Sequence, residues 1–209
     1  MKKLTVVAVV AMIAASCNSN SGSKKMEDTA SKSMMGSMKT DSVQSGDKGL
    51  KVVKPEFSSM VASVTASIDK LVNDYLKIKN ALVADDASAT ADASGVMLGD
   101  LNSIDKSKFT TEQKAAYAKN EDDLKENAEH INKSKSDIAH QREHFGMMSE
   151  DMSDLVKAFG SSSALYTDHC PMANDGKGAT WLSATKQIRN PFMGKKDPSC
   201  GNVVELIEK

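Results

Sequence analysis

The sequence predicts an all-α fold: an antiparallel four-helix bundle with an irregular Cys/Pro/Gly-rich C-terminal extension. Three observations predict it. Apolar residues from Phe57 to Leu82 fall at alternating spacings of four and three, the mark of a helix with a buried seam. A second such register runs from Tyr117 to Phe159. After residue 160 the pattern stops, and a segment follows that holds Cys170, Cys200 and the only tryptophan of the chain.

The N-terminus is organised differently. Lys2-Lys3, an apolar run from Leu4 to Ala15 and then Ser16-Cys17 form a charged n-region and an h-region too short to span a bilayer. Ala14-Ala15-Ser16-Cys17 resembles a bacterial lipobox. The expectation is that residues 1–16 are a lipoprotein signal peptide, that Cys17 is lipidated, and that the protein is held on a membrane facing the periplasm. An ordinary secretory signal cleaved near Ala15 is the alternative. Residues 17–54 read as a flexible tether, because Ser, Gly, Lys and Asp cannot bury enough surface to offset their ordering entropy. Met26, Met34, Met35 and Met38 lie within it; their thioethers could hold Cu(I) loosely, or simply belong to a linker.

Residues 55–160 supply the bundle. The first helix carries Phe57, Val61, Val64, Ile68, Leu71, Tyr75, Ile78 and Leu82, with Pro55 suited to its first turn. A second helix of mainly small residues spans Ala87 to Leu101. Thr110 and Gln113 make a capping box for the third, which carries Tyr117, Leu124, Ala128 and Ile131. The register then continues through Ile138, Phe145, Met152, Leu155 and Phe159. One helix of that length would reach roughly 65 Å, too long for the first helix to cover. A break is therefore expected in residues 132–136, with Ser134 or Ser136 as the new N-cap; one long helix is the alternative.

Composition excludes several function classes. The 27 basic and 28 acidic residues nearly balance, which argues against a nucleic-acid partner. Aromatic residues are too few for a base-stacking platform. There is no phosphate-binding Gly loop, nucleophile elbow or Cys-x-x-Cys pair, and no nucleophile–base pair or carboxylate dyad, so an enzyme is not expected.

Residues 161–209 carry the chemistry. With Cys17 lipidated, Cys170 and Cys200 are the remaining thiols, and an exported protein permits a disulfide between them. The other reading is a soft-metal site. Cys170 and Met172 flank Pro171, with His169 adjacent, and Cys200 and Met193 could complete the set. Thiolate plus thioether suits Cu(I) or Ag(I). Farther upstream, His140 and His144 stand four apart and share a helix face, with Met147 or Met148 one turn on. They are either a chelating pair or solvent-facing neighbours of the seam. His130 reads as a surface residue. Trp181 should dock the tail on the bundle. Arg142 falls in the seam's register, so it needs a carboxylate or tail carbonyls as partner.

Tyr166, Cys170-Pro171-Met172-Ala173, Gly178-Ala179, Trp181-Leu182-Ser183, Ile188-Arg189-Asn190-Pro191, Gly194 and Cys200-Gly201 follow a recognisable order. With His140-Gln141-Arg142, Phe145 and Ser149, they resemble a bacterial domain-of-unknown-function family. That family occurs in exported lipoproteins and fused to periplasmic adaptors of copper/silver efflux. The resemblance covers about residues 56–208 and implies a periplasmic heavy-metal-binding module with an efflux system as partner. The chain departs from the family at Phe192-Met193, where Tyr-Phe is usual, and at Asp197, where a methionine is usual. Two functions follow as expectations: a lipid-anchored Cu(I)/Ag(I) binding protein, or a structural adaptor closed by a Cys170–Cys200 disulfide.

Overall fold

The computed structural model describes residues 49–209. The expected signal peptide, Cys17, and the expected tether up to residue 48 with its four methionines lie outside the described residues.

The fold is mixed α/β, which corrects the all-α expectation. Five helices, α1 (Ala62–Val83), α2 (Ala87–Asn102), α3 (Thr111–Ala118), α4 (Glu121–Lys133) and α5 (Ile138–Phe159), are joined by a four-stranded sheet. Its strands are β1 (Lys51–Val53), β2 (Leu165–Cys170), β3 (Ala179–Ser183) and β4 (Asn202–Ile207), in the order β1-β4-β2-β3. β1 runs parallel to β4; the other pairs are antiparallel, with a register shift at Thr167/Asp168. Thus the C-terminal segment is not an irregular extension, and Lys51–Val53 is a strand rather than tether. The sheet is built from β-branched and aromatic runs, Tyr166-Thr167, Thr180-Trp181 and Val203-Val204, which suit a half-buried pleated surface. Each run is short, and polar Asp168, His169 and Glu205 interrupt the alternation.

The first seam is buried from Val64 through Ile68, Leu71, Tyr75 and Ile78 to Leu82. Its first turn is not helical. Residues 54–60 are irregular, with bends at Glu56 and Ser58, and are bonded to the end of α5 through Glu56 N to Lys157 O (3.1 Å) and Phe57 N to Ala158 O (2.9 Å); Val61 is exposed. α5 ends at Gly160, whose φ of 70° and closeness to Pro55 leave no room for a side chain; a Cβ there would stand 2.8 Å from Pro55 Cγ.

α2 is made of small residues because it packs tightly on α4. Ser94 Oγ donates to Ala128 O (2.8 Å), Asn132 Nδ2 donates to Ala91 O (2.8 Å), and a Cβ on Gly95 would fall 2.6 Å from Asn132 Nδ2. The Thr110–Gln113 capping box forms as expected. The helix it starts stops at Ala118, and α4 begins anew at Glu121, so one expected helix is two. The break before α5 lies where the sequence places it, but the N-cap is Asp137, accepting from His140 N at 3.1 Å, not Ser134 or Ser136.

Sheet and helices share one core. Trp181 and Leu182 of β3 are buried with Phe145 and Phe192. Tyr75 of α1 stacks on Phe145 of α5 at 5.0 Å between ring centroids. Its hydroxyl bonds Ser149 (2.8 Å) and accepts from Leu182 N (3.0 Å), so a single phenol ties α1, α5 and β3 together.

Candidate metal centre

The turn at residues 134–137 folds α5 back along α4 and sets the end of one against the start of the other. His130 stands on the last turn of α4; His140 and His144 stand on the first two turns of α5. Their ligand nitrogens all lie within 4.8 Å of one another. Among the described residues this is the group of three or more His, Cys, Asp or Glu side chains able to share an ion. His140 and His144 are thus brought together as their spacing predicts. His130, read from sequence as surface, completes the set, because only the turn between the helices makes it a neighbour.

The three rings pack edge and face. His130 stacks on His144, with centroids 4.2 Å apart and planes 12° from parallel; His140 meets His144 edge-on at 4.5 Å. His144 Nδ1 donates to Asn127 Oδ1 at 2.9 Å. His140 Nδ1 faces Glu143 Oε2 at 3.4 Å, and His130 Nε2 stands 4.0 Å from Glu126 Oε1. Burial, reinforced by His130 and His140, holds His144 below the ordinary imidazole pKa, so it remains a neutral donor. Bound nitrogens lie about 2.0–2.1 Å from zinc, hence ~3.3 Å from each other in a tetrahedral site. From within 4.8 Å, the nitrogens need close in by up to about 1.5 Å.

Beside His144 opens a hollow of about 330 Å³ lined by Asp123, Glu126, Asn127, Met147, Glu150 and Asp151. Burial, with the nearby Asp123, Asp154 and Glu150, pushes Asp151 up to about 6, against the pull of the Asn127 amide. Met147 is exposed on its rim, whereas Met148 is buried in the core.

The tail donors do not converge in the same way. Cys170 and Cys200 form a disulfide, with Cα atoms 5.9 Å apart, so neither sulfur is a thiolate. This is the alternative that the sequence left open. Met172 is exposed and His169 half-buried beside Gly178. Met193 is half-buried, its backbone N–H bound to Asn190 Oδ1 at 3.0 Å.

The other rare residues of the tail hold it in place. Buried Asn190 donates to Cys200 O (2.8 Å) and accepts from Phe192 N (2.8 Å). Trp181 is buried as a packing anchor, as expected. Arg142 finds both kinds of partner expected for it: it donates to Pro191 O (2.7 Å) and Leu82 O (3.2 Å) and pairs with Asp85. Gly194 passes so close to the Arg142–Asp85 pair, with φ of 53°, that no side chain fits.

Sequence reasoning missed Asn127 and the interior pair Asp168 and Lys79. Asp168 is buried with neither oxygen hydrogen-bonded. Burial pushes it up to about 7, against the pull of Lys79 and, beyond hydrogen-bond distance, of the Trp181 indole. An isolated polar residue in a strand or helix gives no periodic signal of such a role.

No match was found among curated proteins or solved structures. Residues 71–164, which contain all three histidines and stop short of the Cys170–Cys200 tail, match the family described as "Protein of unknown function (DUF3347)".

Proposed function

We propose that this protein is a metal-binding protein whose centre is His130, His140 and His144. The observation that carries the reading is the mutual approach of three imidazole nitrogens on two helices. Imidazole suits borderline divalent ions such as Zn²⁺, Cu²⁺, Ni²⁺ or Co²⁺, and the acidic hollow beside His144 favours a doubly charged ion. Three protein ligands leave a coordination position open, which fits an ion that is received and passed on. The lipobox-like Ala14-Ala15-Ser16-Cys17 supports a lipid-anchored, periplasm-facing protein, and the family resemblance of the tail supports a metal efflux system as its partner.

The disulfide favours a second role for the tail, that of a structural clasp. A Cu(I)/Ag(I) site through Cys170, Met172 and Cys200 would need that bridge reduced. Calorimetric titration with Zn²⁺ separates these readings. The wild type and the Cys170→Ser/Cys200→Ser variant should take up one ion alike, and the His130→Ala/His140→Ala/His144→Ala variant none. Equal uptake by the triple-histidine variant would refute the centre. Anaerobic competition of the reduced wild type against a Cu(I) chelator, lost in the Cys170→Ser/Cys200→Ser variant but kept in the triple-histidine variant, would return the function to the tail.

A further inference from the structure

Resting on the three-histidine reading, we infer that Asn127 is a positioning residue that fixes His144 as the Nε2 ligand of the centre. The amide oxygen of Asn127 is an acceptor only, so the His144 nitrogen 2.9 Å away must carry the proton. That bond selects the Nδ1–H tautomer and leaves the Nε2 lone pair free. Asn127 is itself buried, and its amide draws the pKa of the Asp151 carboxyl down, in keeping with an NH₂ end toward Asp151 and an oxygen toward His144. An outer partner of this kind orients a ligand ring and typically tunes affinity.

The same geometry divides the labour among the ligands. His130 and His144 stack nearly parallel at 4.2 Å, and imidazole lone pairs lie in the ring planes. Parallel rings cannot both aim at one ion, so one ring must turn. His144 is held by Asn127. The His130 side chain is 47% exposed, and its nearest charge is Glu126 at 4.0 Å; the last torsion of an imidazole side chain is soft. His144 is therefore the fixed ligand and His130 the one that swings in.

Two measurements on the full chain test this. Long-range ¹⁵N–¹H correlation spectra of the metal-free protein report the His144 tautomer. Nδ1–H is expected in the wild type and in Asn127→Asp, which keeps the acceptor, and the commoner Nε2–H in Asn127→Leu. Co²⁺ titration, followed by its visible absorption, should then show a loss of about 10- to 100-fold in affinity for Asn127→Leu and rescue in Asn127→Asp. An Nε2–H His144 in the wild type overturns the positioning role even if Co²⁺ binds, as does undiminished Co²⁺ affinity in Asn127→Leu. No Co²⁺ uptake by the wild type overturns the metal centre itself.

Discussion

Asp168 shows how much a single residue can set the response of this fold to pH. Its carboxyl lies on β2 facing the core, without a hydrogen bond, and burial pushes it up to about 7. An unfolded aspartate titrates near 3.9. Between those values the folded chain binds the extra proton, so stability rises as pH falls from about 7 toward about 4. Thermal melts should show a lower midpoint at pH 8 than at pH 5.5, and Asp168→Asn should flatten the difference. An unchanged slope in that variant would place the cause elsewhere. The histidines respond in the opposite sense where metal is concerned. Protons compete with the ion for imidazole nitrogen, so Zn²⁺ affinity should be level above about pH 7 and fall below the free imidazole value of about 6.5. His144, depressed by burial and by its two neighbours, is expected to stay neutral below the free imidazole value in an NMR titration.

At the scale of elements, the turn between α4 and α5 brings the three histidines of the proposed centre together. Asp137 caps α5 through His140 N, so it stabilises the helix start that carries a ligand. Asp137→Ala should cost about 1 kcal/mol in a denaturant melt and weaken Zn²⁺ binding without removing a ligand. A stable variant with unaltered affinity would mean that the cap does not position His140. The helical part of this was legible: seam residues from Val64 to Leu82 and Phe145 to Phe159 announce their burial by period. The strands were not. Val52-Val53 hid at the end of a polar tether, and β2 to β4 each have too few alternating positions to outweigh Pro171, Gly178 and Pro198. Their pairing depends on contacts far apart in sequence, as between Lys51 and Glu205. His130 failed to declare itself for the same reason: its partners are ten and fourteen positions away, across a turn.

At the largest scale the described residues join a helical layer to a small sheet, and the Cys170–Cys200 bridge clasps the sheet's far end. The sulfurs link the end of β2 to the approach of β4, while Asn190 and the Arg142–Asp85 pair hold the intervening loop. Reduction or Cys170→Ser/Cys200→Ser should therefore lower stability by about 2–5 kcal/mol while the three histidines, on other elements, retain their ion. Denaturant unfolding with and without reductant measures the first, and Zn²⁺ titration the second; loss of both together would mean that the tail and the centre are one unit. The most direct measurement of the central claim is the anomalous-scattering map of a crystal grown with Zn²⁺. One peak about 2.0–2.1 Å from nitrogens of His130, His140 and His144 is predicted, with the disulfide intact. A peak at Cys170, Met172 and Cys200, or none at the histidines, would contradict it.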